Sequence, residues 1–334
     1  MKARIVLALI AVALATAGCG SPSTSPPPVA VAPVDAKPSG AREITTMPVP
    51  GNAKCVDPEA SLRPDPLPAP GAMPPGSTMA TIHGRGQLIV GVDQDSFPFG
   101  FRDSTTGQLE GFDIDLAREI ARAIFGPGKA ANGAVDPDHI ELKVINPTQR
   151  ESVLQSGEVD LVVRTYSITC EREDKVAFSA TYFYANQKIL VMKGSGIDSA
   201  AALSGKRVCS AFGTTSLSRL FALDPRPTLF GAATWTDCLV MLQQGQVDAI
   251  STDDAVLAGL RKQDQENLEI VGDSMGIEPY GVGVMLQNKD LARFVNGVLA
   301  RMRADGTWER LYDHWLTDLG PSPGPPAPRY KDGP

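Results

Sequence analysis

The chain has 334 residues, 43% of them hydrophobic, enough length and apolar content for one or two globular domains. Its formal net charge of −7 leaves no basic excess for nucleic acid, so nucleic-acid binding is not expected. His83, His139 and His314 lie far apart with no second ligand at metal spacing, which argues against a zinc site.

From the N-terminus, Lys2 and Arg4 precede an apolar run over residues 5–15 that is too short to span a bilayer, and Thr16, Ala17 and Gly18 lead into Cys19. This pattern resembles a bacterial lipoprotein signal. Residues 1–18 would be removed, and lipid on Cys19 would hold the chain at the extracytoplasmic face of the cell membrane. Residues 21–78 contain 15 of the 28 prolines, so 19–78 reads as a tether with extended tendency and no core of its own. Its last part, from about residue 52, is expected against the globular body if Cys55 is bridged. The tail 321–334 repeats the composition and is expected to be disordered.

Removing Cys19 leaves Cys55, Cys170, Cys209 and Cys238, an even number in an oxidising compartment, which predicts two disulfides. Three pairings are possible. Cys209 on a predicted strand and Cys238 on the helix soon after it favour one bridge between themselves, which leaves Cys55 for Cys170.

Residues 79–320 hold only seven prolines and alternate short apolar runs with amphipathic segments, the pattern of an α/β fold. A strand is predicted over 87–92 and a helix over 112–125, with Ile114, Leu116, Ala117, Ile120, Ala121 and Ile124 on one face and Asp113 and Asp115 at its positive end. A strand at 142–145 and a short helix at 149–155 follow. Neither Gly-x-Gly-x-x-Gly nor Walker A is present, so no nucleotide or other cofactor is expected. Further on, a strand at 187–192 leaves this unit, a second α/β unit opens at 203–206, and the chain returns at 280–286. Helices at 290–302 and 307–315 flank Gly306, with Trp308 and Trp315 read as packing aromatics.

The richest stretch is 160–179, DLVVRTYSITCEREDKVAFS. Leu161, Val162 and Val163 read as a short buried strand. Arg164 directly beyond them falls at the carboxyl end, where open α/β sheets hold their ligands. Arg164 and Arg172 bracket the hydroxyls of Thr165, Ser167 and Thr169, and a guanidinium fork matches a carboxylate with two parallel hydrogen bonds. Such a site suits a small anion.

SITCERED at 167–174 followed by VAFSATYFY resembles the corresponding segment of periplasmic amino-acid-binding proteins of ABC importers. Segments 91–101 (GVDQDSFPFGF), 111–116 (GFDIDL), 155–160 (QSGEVD), 213–216 (GTTS), 245–253 (GQVDAISTD) and 305–315 (DGTWERLYDHW) fall in the same order and spacing as in that family. The resemblance implies a two-lobed α/β fold of the type II periplasmic-binding kind, with two crossings forming a hinge and the ligand in the cleft. One lobe would comprise 79–187 and 281–320, the other 188–280. It implies an amino-acid ligand, delivery to ABC permease subunits, and a monomer. Arg172 would grip the α-carboxylate, with Thr214 and Thr215 at the following helix start. Asp253 would take the ammonium beside Ser167, although Thr252, Asp253 and Asp254 also make a good helix cap.

Ligand choice is expected from Arg164 and Arg150, whose extra positive charge points to glutamate or aspartate, with glutamine or asparagine as alternatives. Arg164 in a dry cleft must face a ligand carboxylate or a fixed acid such as Asp93. Arg150 could instead pair with Glu151 or Glu158 on the surface. Phe97, Phe99 and Tyr184 can cover aliphatic ligand carbons, and Tyr166 can add a hydroxyl. With no Ser-His-Asp order and no acid–base pair placed around a water, a binding protein is expected rather than a dehydratase-type enzyme. A transmembrane sensor is the alternative partner.

Overall fold

Two sheets carry the chain, and the strand that passes between them places the site. In the computed structural model, which describes residues 37–48, 55–129 and 133–331, the first sheet runs Ile140–Val144, Leu88–Val92, Leu161–Val162, Gly283–Met285, Val176–Phe178. The first three strands are parallel, and Gly283–Met285 is antiparallel to both its neighbours. Helix Phe112–Phe125 covers this sheet with the face its periodicity predicts: Ile114, Leu116, Ala117, Ile120, Ala121 and Ile124 are all buried. Helices Lys289–Ala304 and Thr307–Trp315 complete the core, separated by Gly306 at φ 73°, a left-handed turn that favours glycine. Trp308 is buried and donates to the Tyr182 carbonyl at 2.8 Å.

The second sheet runs Arg42–Glu43, Thr228–Ala232, Arg207–Ala211, Ala249–Asp253, Phe183–Met192, Leu268–Val271. Strand Phe183–Met192 pairs its first half with Ile277–Tyr280 and its second half with Ala249–Asp253 and Leu268–Val271. Outgoing and returning crossings are therefore hydrogen-bonded to each other, giving the two-lobed α/β fold with a two-stranded hinge. The lobes are closed on one another. A Cβ on Gly259 in helix Asp254–Lys262 would lie 1.8 Å from the Phe97 carbonyl oxygen, so only glycine permits that approach.

Both disulfides form in the expected pairing, Cys55 with Cys170 and Cys209 with Cys238. The proline-rich ends behave differently from the expectation. Arg42–Glu43 adds an antiparallel edge strand to the second sheet, and Ile44 and Met47 pack on that lobe's core. Ala60–Ser61 pairs in parallel with Arg329–Tyr330, so the described part of the tail is ordered, fastened by Arg329 to Asp57 and by Lys331 to Glu173. Composition shows that a segment cannot build its own core. It does not show that no neighbouring surface will accept it, and extended chain is suited to adding to a sheet edge. Residues 1–18 and Cys19 lie outside the described residues.

Asn296 locks the arm to the body: its amide donates to Ser61 Oγ (2.8 Å) and the Leu62 carbonyl (2.6 Å), and its oxygen accepts from the Ala180 N–H (2.7 Å). Asn296→Ala should lower the unfolding free energy by about 2–4 kcal/mol, because each buried polar group left unpaired costs about 1–3 kcal/mol. Urea denaturation reads this directly; an unchanged midpoint would show that the arm adds nothing to the fold.

Candidate functional site

Strand Leu161–Val162 ends against the cleft, and the next residues turn sharply. Thr165 has φ 40°, the only left-handed non-glycine among the described residues, and a strained one for a β-branched side chain. Asp113 holds it there. Its buried carboxylate accepts the Thr165 N–H (2.8 Å) and the Tyr182 hydroxyl (2.8 Å), and burial pushes its pKa up to about 7. The strain turns the Thr165 carbonyl toward Arg150, which donates to it at 3.4 Å.

Three arginines are buried around this turn. Arg164 donates Nε to the Ile145 carbonyl (2.7 Å), and its Nη2 lies 3.1 Å from Asp93 Oδ2, so a fixed acid meets its charge. Burial lowers the Arg164 pKa while Asp93 opposes the shift. Arg150 is buried, which removes the surface alternative; Glu151 pairs with Lys175, and Glu158 with Lys143. Arg150 donates Nε to the Pro147 carbonyl (3.0 Å) and Nη2 to the Gly213 carbonyl (2.9 Å) across the cleft. Arg172, on the short helix Cys170–Glu173, donates to the Ser167 carbonyl (2.6 Å) and to the same Gly213 carbonyl (3.1 Å). Both guanidiniums flank the Tyr166 ring, 4.5 Å and 5.0 Å from its centre. Burial and then the Arg172 charge bring the Arg150 pKa down to about 9. Among the described residues neither Arg150 nor Arg172 has a carboxylate within ion-pair distance. Their partners are carbonyl oxygens.

Asp253 faces them from the second lobe. It precedes helix Asp254–Lys262, but its side chain makes no capping hydrogen bond, so the cap alternative fails. Its carboxylate accepts from the Tyr280 hydroxyl and from Ser216 Oγ (3.3 Å). Burial, then the neighbouring Glu278, push its pKa up to about 7. Glu278 is itself held by Arg219 (2.7 Å) and by the Thr215 hydroxyl (2.7 Å). The expected Thr215 hydroxyl is thus already engaged, while Thr214 caps its helix by accepting the Leu217 N–H (3.2 Å).

Thus Arg150 and Arg172, with the carbonyls of Thr165 and Ser167, converge on the Gly213 carbonyl beside Thr214, Asp253 is held by Ser216 and Tyr280 of the same region, and Arg164 forms an ion pair with Asp93. Tyr184 is not part of it. That side chain is 39% exposed and its hydroxyl binds Glu59 of the N-terminal arm, because strand alternation turns Tyr184 away from the face of its neighbour Phe183. Phe99 is likewise core, packed edge-on against Phe183 and Tyr280. Asp113 was read from sequence only as an acid at the positive end of its helix, and Ser216, Trp235, Glu278 and Tyr280 were not read as site residues. Among those four, Trp235 carried a local signal, the Thr234/Asp237 capping box that fixes its helix start. No group of three or more His, Cys, Asp or Glu able to hold a metal occurs among the described residues.

A family model described as bacterial extracellular solute-binding proteins, family 3, matches residues 88–318. The chain is 34% identical over 242 residues to the ABC transporter glutamine-binding protein GlnH of Bacillus subtilis (strain 168), covering 72% of this chain and 85% of that one. To the glutamate-binding protein GluB of Corynebacterium glutamicum it is 31% identical over 233 residues, covering 68% and 77%. An ancestral arginine-binding protein bound to glutamine matches the structure with a TM-score of 0.63 at 35% identity, covering 70% of this chain and 98% of that one.

The Arg164–Asp93 pair supports a stability test. Asp93→Asn should cost about 3–5 kcal/mol in denaturant unfolding, because it leaves a buried guanidinium without its counter-charge. Adding Arg164→Met should recover part of that loss. Additive losses in the double variant would show that the two side chains are not coupled.

Proposed function

The chain belongs to the bacterial extracellular solute-binding proteins of family 3, and on that premise we propose that its lobes close on an acidic amino acid, L-glutamate or L-aspartate, for delivery to an ABC permease. Members of this family are binding proteins, not enzymes. One observation carries the choice of ligand: Arg150 and Arg172 are buried together against carbonyl oxygens, with no carboxylate among the described residues to pair them. The ligand α-carboxylate answers one guanidinium, Arg172. A second carboxylate, on the ligand side chain, answers Arg150, and Asp253 takes the ammonium.

Glutamine is the second reading, favoured by the Bacillus subtilis relative named for it. Its amide oxygen can accept from Arg150 but leaves that charge uncompensated in a dry cleft. Lipid on Cys19 would hold the receptor at the membrane, which the mass of the membrane-bound protein tests. A transmembrane sensor in place of the permease would be indicated by a receptor gene beside this one and no permease or ATPase genes.

Calorimetric titration with glutamate, aspartate, glutamine and asparagine tests the assignment. Arg172→Ala should weaken all four by roughly a hundredfold or more, whereas Arg150→Ala should penalise the two acids most. Tighter binding of the amides by the parent, or equal losses for acids and amides in Arg150→Ala, would exclude the acidic ligand.

The same titrations carry a pH signature. With a pKa near 7 in the free protein, Asp253 is ionised at pH 8 and mostly protonated at pH 6. An ammonium prefers the carboxylate, so binding near pH 7 should release protons and affinity should fall roughly tenfold from pH 8 to pH 6. For the free protein the sign is opposite: a raised carboxylate pKa stabilises the fold in its protonated form, and that contribution is lost as pH rises through 7. Asp253→Asn should remove the pH dependence of affinity. A slope that persists in the variant would assign it to another group.

A further inference from the structure

Trp235 opens helix Trp235–Gln243 in the second lobe, where the Thr234/Asp237 capping box and the Cys209–Cys238 bridge hold it on a rigid support. The side chain is 3% exposed, and its indole Nε1 has no hydrogen-bond partner among the described residues. Across the lobe boundary the Arg164 guanidinium carbon lies 5.5 Å from the centre of the indole ring. Arg164 is 1% exposed and commits Nε to Ile145 and Nη2 to Asp93, yet its Nη1 is also without a partner. Two buried donors on touching side chains are thus both unsatisfied, an arrangement that is costly unless an acceptor lies against them.

We propose that Trp235 is a specificity-determining residue, and that its indole N–H and Arg164 Nη1 together read an oxygen at the end of the ligand side chain. The proposal rests on the acidic-ligand reading and deepens it. A side-chain carboxylate has two acceptor oxygens, one for Arg150 and one for the Arg164–Trp235 pair. An amide has one oxygen and one NH2, so it must present hydrogens to one of two all-donor walls. Because Asp93 already balances the Arg164 charge, this second wall selects for an acceptor rather than for charge. Because Trp235 and Arg164 belong to different lobes, their joint contact is made only on closure.

Trp235→Phe keeps an aromatic face over Arg164 and removes only the N–H. Titration of this variant should show glutamate affinity down roughly tenfold or more and the glutamate-to-glutamine ratio reduced, with L-norvaline, which has no side-chain oxygen, unchanged. Equal losses for glutamate and norvaline would make Trp235 a packing residue and overturn the proposal. A parent that binds glutamine more tightly, with a variant loss confined to ligands bearing a side-chain oxygen, would sink the acidic assignment while leaving the role of Trp235 intact. Should the variant fold poorly, the parent still decides. The chain has three tryptophans, and the indole N–H resonance of Trp235 should move downfield with glutamate and stay in place with norvaline; an identical response to both ligands counts against the proposal.

Discussion

Burying a guanidinium is the constraint on which this structure turns. Three arginines lose their water in one cleft, and an unpaired buried charge is among the most expensive features a fold can contain. The chain meets it in two ways. Asp93 answers Arg164 permanently, 3.1 Å away. Arg150 and Arg172 receive carbonyl oxygens from Pro147, Thr165, Ser167 and Gly213, enough to satisfy N–H groups but not to neutralise charge. Dipoles hold these two side chains in place while leaving their charge without a counter-charge among the described residues. On the proposed reading, little reorganisation would be needed when a ligand carboxylate arrives.

That arrangement needs rigid support, which comes from outside the cleft. Asp113 holds Thr165 in a backbone conformation it would otherwise avoid. The short helix carrying Arg172 begins at Cys170, bridged to Cys55 of the N-terminal arm, and ends at Glu173, paired with Lys331 of the tail. Both proline-rich ends therefore buttress the helix that carries Arg172. The Gly213 carbonyl reaches both guanidiniums from the other lobe, so one polar partner of each is an interlobe contact.

The hinge bears the opposite charge. Strand Ile277–Tyr280 presents Glu278 and Tyr280 on one face, two residues apart, with Tyr280 on Asp253 and Glu278 on Arg219 and Thr215. Burial and then Glu278 raise the pKa of Asp253, and a ligand ammonium at the proposed position would relieve that repulsion. Asp253, the proposed acceptor of the ligand ammonium, is thus tied through Tyr280 to one of the two strands that cross between the lobes.

Much of the scaffold was legible in the sequence because it depends on local periodicity. The helix at 112–125, the two terminal helices around Gly306 and the short strand before Arg164 follow from which residues can share a buried face. Two disulfides followed from compartment and cysteine count, their pairing from Cys209 and Cys238 lying on neighbouring elements, and the roles expected of Arg172 and Asp253 from the family resemblance. Partner choice was a different matter. Whether Arg164 met Asp93 or a ligand, whether Arg150 turned inward, and whether Tyr184 turned outward depended on residues tens of positions away and on the relative placement of two lobes. The ordered ends and the contact of Trp235 with Arg164 were hidden for the same reason. Hydrophobic patterning is a property of one segment, whereas the pairing of a buried charge or donor is decided only when distant segments meet.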